Sequence, residues 1–392
     1  MATLQASYDP PFEQRYSSLF SAMTEARRCF KSCENKVVEQ CELPLIDLCC
    51  LQHGTEQEIS ACVAEISKAS SDWGFFQVVN HGINNELLQA VRKEQKRLFH
   101  VPFEKKAASK VLNESYRWGN PTATSLDQLS WSEAFHVPLS KLVEDEACSE
   151  DEFRSLSLPW LNEITQLLPQ SVTPARKPKP SHGDPSAQNG HFDSTDNFVI
   201  STIKFADDRE VMQKVAGAMS DLARILAGVL AENLGYPGNC FTENCSKSTC
   251  FLRLNRYPPC PFLPGTFGLM PHTDSDFLTI LHQDHVGGLQ LMKDSKWVAV
   301  KPNPSALIVN IGDLFQAWSN DVYKSVEHKV MTNRMVERYS IAYFLCPSYE
   351  STIGSCKEPS HYKKFTFKEF RNQVQEDVKR TGYKVGLSRF LL

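Results

Sequence analysis

The stretch PHTDSDFLTI, residues 271–280, places His272 and Asp274 two positions apart, directly ahead of an apolar run. In a strand, residues i and i+2 share a face, so both side chains are expected on the same side of one strand. Two potential ligands on a rigid strand favour a metal site, although such a short pair also occurs by chance. A second pair, His191 and Asp193, lies in a Pro-, Gly- and Ser-rich segment, and we interpret it as a chance match.

Short apolar runs separated by turn residues surround this stretch from residue 250 onward. The runs recur at intervals of roughly ten residues, which is typical of an antiparallel sandwich or barrel. There are eight of them: FLRLNRY, GLMPHTD, FLTILHQ, GGLQLM, KWVAVKP, ALIVNIGD, SVEHKVM and RYSIAYFLCP. The jelly roll is an antiparallel architecture with eight strands. The predicted fold is therefore a mixed α+β protein with a jelly roll and flanking helices.

The remaining chain divides by composition and periodicity. The predicted segments are an N-terminal lead-in (1–42), an α/β region (43–156), an atypical insertion or loop (157–210), a long helix supporting the barrel (211–248), the jelly-roll core (249–350) and a C-terminal helical segment (351–392). No GxGxxG follows either early strand, so the α/β region is not a Rossmann unit.

The long helix has a candidate N-cap in Asp207 or Asp208 and Gly235 after its end. Its predicted core face comprises Val211, Val215, Met219, Leu222, Ile225, Leu226 and Val229.

Further candidate site residues lie in the last two apolar runs. In SVEHKVM, alternation puts His328 on the face of two valines, where a buried imidazole needs a partner. Two histidines and one carboxylate with open coordination positions form the facial triad of non-haem Fe(II) oxygenases. In RYSIAYF, Arg338 and Ser340 share a strand face and could receive a carboxylate, since a charge-assisted bond contributes roughly 1.5 to 3 kcal/mol.

Other histidines and cysteines are given structural interpretations. His81 is expected to form a local hydrogen bond in a turn, and His282 and His285 are expected at a solvated strand end. The C-x4-C-x4-C spacing at residues 240–250 has no nearby histidine and differs from that of zinc knuckles.

Charge and hydropathy exclude two classes of partner. A formal net charge of -4 supplies no basic surface for phosphates, so no nucleic-acid partner is expected. No stretch approaches the roughly 18 uninterrupted apolar residues of a membrane span, and the N-terminus lacks the apolar core of a signal peptide. We therefore expect a protein without a membrane partner, located in the cytoplasm, with the nucleus as a second location. The sequence leaves the oligomeric state open.

The combination of HxD at 272–274, His328 and RxS at 338–340 resembles the plant 2-oxoglutarate/Fe(II)-dependent dioxygenase family. NRYPPC (255–260) and WGFFQVVNHG (73–82) strengthen the resemblance, which covers nearly the whole chain except 157–210. Within the family, SYRWGNPTATS (115–125) and the end KVGLSRFLL are similar to gibberellin 2-oxidases acting on 20-carbon gibberellins.

The resemblance implies a distorted double-stranded β-helix, Fe(II) as cofactor, and 2-oxoglutarate and O2 as co-substrates. His272, Asp274 and His328 would be the metal ligands, with no catalytic residue beyond the metal centre. Arg338, Ser340, Tyr257 and Asn255 would bind 2-oxoglutarate. Tyr116, Arg117 and Trp118 would contact the substrate, a small diterpenoid acid. The implied reaction is hydroxylation of gibberellin at C2, which inactivates the hormone or its 20-carbon precursors.

Residues 157–210 have no counterpart in that pattern. They could form a surface loop, because the cost of loop closure grows only logarithmically with length. They could also be translated sequence from an unspliced intron that interrupts the following helix and impairs catalysis, and of the two we favour this second interpretation. Three functions therefore stand: an active gibberellin 2-oxidase, a catalytically impaired variant, and a dioxygenase for another plant metabolite such as a flavonoid.

Overall fold

A computed structural model describes residues 7–21, 38–108, 115–142, 195–239, 245–246, 248–261 and 265–392. Within these ranges, residues 52, 141 and 195–209 are described by their backbone alone. The second HxD pair, His191 and Asp193, and residues 157–194 of the predicted insertion lie outside the described residues.

All eight predicted apolar runs contain strands, which confirms the expectation for the core. They are β6 (Phe251–Tyr257), β7 (Phe267–His272), β8 (Leu278–Gln283), β9 (Leu289–Lys293), β10 (Lys296–Val300), β11 (Leu307–Ile311), β12 (His328–Met331) and β13 (Arg338–Leu345). Five short strands precede them: β1 (Gln40–Cys41), β2 (Leu45–Asp47), β3 (Phe75–Val79), β4 (Tyr116–Trp118) and β5 (Glu133–Pro138). A final hairpin consists of β14 (Thr352–Ile353) and β15 (Phe365–Thr366).

The eight core strands divide equally between two sheets. One sheet has the order β1-β10-β9-β12-β7, and the other has the order β2-β3-β11-β8-β13-β6-β5-β4. A buried apolar cluster joins Leu289, Leu291 and Val330 of the smaller sheet to Phe75 and Ile308 of the larger sheet. The strands therefore form a two-layered jelly roll, the double-stranded β-helix that we expected.

Helices cover the other face of the larger sheet. The described helices are α1 (Phe12–Arg15), α2 (Cys49–His53), α3 (Glu56–Asp72), α4 (Asn85–Phe99), α5 (Phe103–Ala108), α6 (Thr195–Asn233), α7 (Asp313–Trp318) and α8 (Phe367–Thr381). Helix α6 packs against α3 and α4 and against strands β8 and β13. None of the helices that the structure describes combines the length and apolar character that a membrane span requires.

Helix α6 corrects two expectations. It begins at Thr195, so Asp207 and Asp208 lie within the helix and do not cap it, and residues 195–210 are helical where a loop or insertion was predicted. Ile225 was predicted in the core but is 54% exposed. The buried face is rotated towards small residues such as Ala216 and Ala223, which permit close packing against the sheet. The helix ends as expected, with Gly235 in a left-handed conformation at φ 84°.

Helix α8 is followed by C-terminal residues 382–390, which contact the core. A capping box between Thr366 and Glu369 satisfies its first amides, and Gly382 ends it in a left-handed conformation at φ 79°. A short 3-10 helix, Gly386–Phe390, follows. The chain reversal at Gly382 places residues 382–390 against the turn between β7 and β8, through Lys384.

Candidate active site

The three predicted metal ligands meet where β7 and β12 lie side by side. His272 ends β7, His328 begins β12, and the two residues are directly paired across the sheet. Their ring centroids are 4.3 Å apart. Asp274 Oδ1 lies 3.7 Å from His272 Nε2 and 3.8 Å from His328 Nε2. One ion could therefore face two imidazole nitrogens and one carboxylate oxygen.

Asp274 reaches this point from a turn, so the expectation that it shares a strand with His272 was wrong. Strand β7 ends at His272, and β8 begins only at Leu278. The carbonyl oxygen of Asp274 accepts a hydrogen bond from the Asp313 amide at 2.9 Å, and that of Asp276 accepts one from the Leu314 amide at 3.0 Å. The N-terminus of α7 thus bonds this turn in place of a neighbouring strand.

Backbone contacts fix the neutral tautomer of both imidazoles. His272 Nδ1 lies 2.8 Å from the Met270 carbonyl oxygen, and His328 Nδ1 lies 3.1 Å from the Val326 carbonyl oxygen. Because a carbonyl can only accept, the neutral form of each ring carries its hydrogen on Nδ1 and keeps the lone pair on Nε2. Both lone pairs are thereby available to a cation, as required of a neutral histidine ligand.

The two carboxylate oxygens of Asp274 have different partners. Its Oδ2 accepts hydrogen bonds from Thr279 Oγ1 at 2.7 Å and from Asn310 Nδ2 at 2.8 Å. Burial favours a higher pKa for Asp274, but His328, His272 and the two hydrogen bonds outweigh burial and lower it to about 2. The carboxyl is therefore anionic, with Oδ1 directed towards the histidines.

Burial, and after it the neighbouring His328, lower the pKa of His272 to about 3. Burial and the charge of Asp274 raise the pKa of Asp276 well above its usual range. A neutral His272 beside an anionic Asp274 is the protonation state that binding of a divalent cation requires.

The four predicted 2-oxoglutarate residues lie together on the paired strands β6 and β13. Arg338 is opposite Tyr257, and Ser340 is opposite Asn255. The Arg338 guanidinium lies 4.9 Å from the centre of the Tyr257 ring, and its Nη1 lies 3.5 Å from Ser340 Oγ. Gly268 leaves room for this ring, since a Cβ there would lie 2.5 Å from Tyr257 Cδ1.

Two buried donors beside these residues have no partner among the described atoms. Arg338 is 1% exposed, and its Nη2 donates to Gln283 Oε1 at 2.8 Å. Its Nε and Gln283 Nε2 are buried without an acceptor. An unpaired buried donor is costly, so this pocket is suited to an anionic acceptor such as a carboxylate.

A cavity of about 260 Å3 opens beside His272. Arg117 and Trp118, two of the three residues predicted to contact the substrate, line it. Tyr116 does not line it, because its buried hydroxyl donates to Glu133 Oε2 at 2.5 Å. The structure therefore separates Tyr116 from the two neighbours with which it was predicted to act.

Two basic residues of the cavity wall, Arg253 and Lys384, were not among the predicted site residues. Burial lowers the pKa of Arg253, whose Nε donates to Asn255 Oδ1 at 2.8 Å. The alternation in β6 places Arg253, Asn255 and Tyr257 on one face, and that pattern could have identified Arg253 from the sequence. Lys384 lies more than a hundred residues along the chain from the turn that carries Asp274. No local sequence pattern therefore indicates that it belongs to the site.

Three further histidines were given structural interpretations from the sequence. His81 Nδ1 accepts a local hydrogen bond from the Ile83 amide at 3.2 Å, which confirms its interpretation. The expectation of a solvated position was wrong for His282, which is 5% exposed, whereas His285 is exposed. His282 is buried because its Nε2 lies 3.1 Å from Arg92 Nη2, which supplies the polar partner that water would otherwise provide.

Comparison with known proteins agrees with this geometry. Residues 248–347 match the 2OG-Fe(II) oxygenase superfamily, and residues 43–155 match the N-terminal region described as non-haem dioxygenase in morphine synthesis. Gibberellin 2-beta-dioxygenase 8 of Arabidopsis thaliana is 47% identical over 390 residues, covering 98% of both chains. Gibberellin 2-beta-dioxygenase 6 of Oryza sativa subsp. japonica is 50% identical over 356 residues, covering 89% of this chain and 85% of the relative.

The fold also matches a solved structure, JOX2 in complex with 2OG, Fe, and JA. The two chains are 28% identical with a TM-score of 0.61, and the match covers 94% of each. The fold, the clustered His272, Asp274 and His328, and the relatives of similar length agree with one another. The chain therefore belongs to the 2OG-Fe(II) oxygenase superfamily and is a non-haem dioxygenase dependent on Fe(II) and 2-oxoglutarate.

Proposed function

We propose that this dioxygenase hydroxylates gibberellins at C2 and thereby inactivates the hormone or its 20-carbon precursors. The single observation that carries the chemistry is the convergence of His272 Nε2, His328 Nε2 and Asp274 Oδ1 on one point. The choice of substrate is supported by the gibberellin 2-beta-dioxygenases that are similar over most of the chain. A cytoplasmic location is part of the proposal and rests on the sequence alone.

In this proposal His272, Asp274 and His328 bind Fe(II). The donor set fits the ion, because two neutral imidazoles and one carboxylate leave coordination positions open for a co-substrate. Bound Fe(II) supplies the activation of dioxygen, which is coupled to decarboxylation of 2-oxoglutarate to succinate and CO2 and to hydroxylation of the substrate. The role of the protein is to hold these three ligands on one side of the ion.

Arg338 and Ser340 bind the distal carboxylate of 2-oxoglutarate in this assignment. The unpaired Nε of Arg338 supplies a charge-assisted hydrogen bond, and Ser340 Oγ supplies a second donor. Tyr257 supports the Arg338 guanidinium through its ring, and Asn255 orients Ser340, since Asn255 Nδ2 lies 3.4 Å from Ser340 Oγ.

Packing shields the His328 side of the reaction centre from water. Phe75 lies edge-on to His328 with ring centres 5.2 Å apart, and Leu291, which is fully buried, pairs with His328 across the sheet. A dry setting keeps the reactive species from oxidising solvent or the protein.

The cavity beside His272 is the proposed gibberellin site. Arg253 is the cation we assign to the substrate carboxylate, because burial already disfavours its charge and its described contacts include no ion pair. A bound carboxylate would supply that partner. Arg117 and Trp118 complete the wall, with Arg117 Nη1 bonded to the carbonyl oxygen of Tyr116 at 2.8 Å.

The first test is an anaerobic titration of the purified chain with Fe(II) and 2-oxoglutarate, followed by visible absorption. The proposal predicts a metal-to-ligand charge-transfer band that is lost in H272Q, while H285Q, altered at an exposed histidine, keeps it. Absence of the band in the unaltered chain would overturn the proposed site.

Admission of air with a 20-carbon gibberellin then tests the substrate. A product heavier by one oxygen supports the proposed reaction. A band that decays without such a product would contradict the gibberellin assignment, and a panel of other plant metabolites that includes flavonoids would then separate a different substrate from an impaired enzyme.

A further inference from the structure

The turn that carries Asp274 is held by a lysine from the far end of the chain. Lys384 Nζ lies 2.9 Å from the carbonyl oxygen of Thr273 and 2.8 Å from Ser275 Oγ. These two residues flank Asp274 in sequence. One ammonium group therefore bonds the chain on both sides of a proposed metal ligand.

The same lysine forms a buried ion pair with Asp313, the first residue of α7. Lys384 Nζ lies 2.6 Å from Asp313 Oδ2, and the two side chains are 9% and 3% exposed. Asp313 Oδ2 also accepts a hydrogen bond from Thr273 Oγ1 at 3.1 Å. Because both charges are removed from water, each depends on the other, and loss of either partner would leave an uncompensated charge.

Asp313 extends the connection to the third ligand. Its Oδ1 accepts a hydrogen bond from Ser325 Oγ at 2.7 Å. Ser325 precedes Val326, whose carbonyl oxygen lies against His328 Nδ1. The Asp313–Lys384 pair thus contacts Thr273, between the first two ligands, and the segment that orients the third.

We propose that Lys384 and Asp313 are positioning residues that hold the three metal-binding side chains in register, so that this ion pair is required for tight Fe(II) binding. The inference rests on the proposed metal ligands. Neither residue contacts the ion in this account, and both act through the segments that carry the ligands. Partners of this kind typically change metal affinity about ten- to a hundred-fold when they are removed.

Arg389 provides a matched control within the same C-terminal segment. Its Nη2 lies 2.8 Å from Asp377 Oδ1, so it ties residues 382–390 to helix α8. Its described ion pair and hydrogen bonds go to Asp377, which lies on that helix. Loss of this contact would loosen residues 382–390 without removing a bond to the turn that carries Asp274.

The experiment compares K384M, D313N and R389M by thermal unfolding and by anaerobic Fe(II) titration at saturating 2-oxoglutarate. We expect K384M and D313N to raise the Fe(II) Kd by about ten-fold or more, and to increase succinate formed per hydroxylated product. We expect R389M to lower Tm with an unchanged Kd. Equal losses of Tm in all three variants with no change in Kd would overturn the inference.

A milder variant keeps the test decisive if K384M or D313N does not fold. S275A removes one hydrogen bond of Lys384 and leaves the ion pair in place. It should raise the Fe(II) Kd in the same direction by a smaller factor, and an unchanged Kd in S275A would count against the inference. If H272Q binds Fe(II) as tightly as the unaltered chain, the proposed metal site itself has failed.

Discussion

At the scale of the residue, the role of each buried histidine depends on which ring nitrogen meets a protein partner. His272 and His328 direct Nδ1 to a carbonyl oxygen and leave Nε2 to face Asp274. His282 instead directs Nε2 to Arg92, and its Nδ1 has no partner among the described atoms. The first arrangement suits a cation, and the second holds a neutral imidazole inside the protein.

The burial of His282 is expected to make the free energy of unfolding sensitive to acid. Burial and then Arg92 lower its pKa to about 3, whereas an unfolded histidine titrates near 6.5. Between these values the unfolded state binds one more proton, so the free energy of unfolding falls as the pH falls through this window. The free energy of unfolding of the metal-free protein is measured with denaturant at about pH 7 and about pH 5. Its decrease between the two pH values should be smaller by about 2 kcal/mol in H282Q than in the unaltered chain.

The exposed His285 supplies the control for this prediction. H285Q should keep the acid sensitivity of the unaltered chain. An H282Q protein that loses as much stability between the two pH values as the unaltered chain would contradict the assigned role of burial.

Substitution of Arg253 is predicted to weaken substrate binding more than 2-oxoglutarate binding. R253M should raise the KM for gibberellin by about ten-fold or more, since a hydrogen bond to a charged group contributes roughly 1.5 to 3 kcal/mol. It should raise the KM for 2-oxoglutarate by a smaller factor, because it also removes the hydrogen bond from Arg253 Nε to Asn255 Oδ1. R117M should have a smaller effect, because Arg117 is exposed and its Nη1 bonds a backbone carbonyl. Steady-state kinetics measure both, and an equal rise in the two variants would argue against Arg253 as the carboxylate partner.

At the scale of the element, strands β6 and β13 form the 2-oxoglutarate end of the site because their register pairs Arg338 with Tyr257 and Ser340 with Asn255. The sequence predicted this part well, since alternation within a strand puts residues two apart on one face. It failed for Asp274, whose turn is held by α7, and for the start of α6, whose backbone runs through residues predicted as a loop. In the first case the partners come from distant elements that no local pattern reveals.

Gly268 on β7 predicts a specific loss of 2-oxoglutarate binding. An added methyl group would lie 2.5 Å from Tyr257 Cδ1 and must displace the ring that supports Arg338. G268A should therefore raise the KM for 2-oxoglutarate several-fold with Fe(II) binding retained. G217A is the control, because nothing lies within 4 Å of its added methyl, and an alanine within α6 should stabilise the fold by about 0.5 to 1 kcal/mol. Normal 2-oxoglutarate kinetics in G268A would contradict the packing argument.

At the scale of the whole molecule, one buried carboxylate connects the N-terminal region to the jelly roll. Glu133 on β5 lies 2.6 Å from Lys106 Nζ and 2.6 Å from Arg256 Nη1, and all three side chains are at most 1% exposed. Arg256 also pairs with Asp9 at 2.7 Å. This network joins α5, β5, β6 and the chain near its N-terminus. No local sequence pattern indicates this network, because its members are far apart along the chain.

Loss of the Glu133 carboxylate is predicted to destabilise the fold strongly. E133Q would leave two buried cations without their common partner, which costs about 3 to 5 kcal/mol. E337Q is the control, because Glu337 contacts the same Arg256 at 2.9 Å but is 27% exposed, and its loss should cost about 1 kcal/mol or less. Denaturant unfolding compares them, and equal losses would show that burial does not decide the outcome.

The relation between fold and function is tested most directly by the fate of oxygen. The purified chain with Fe(II), 2-oxoglutarate and a 20-carbon gibberellin is allowed to react under isotopically labelled dioxygen, and the product is analysed by mass spectrometry and NMR. The proposed function predicts one labelled oxygen at C2 of the gibberellin and one succinate per product. Succinate formed without a hydroxylated gibberellin, or a labelled oxygen at another carbon, would contradict it.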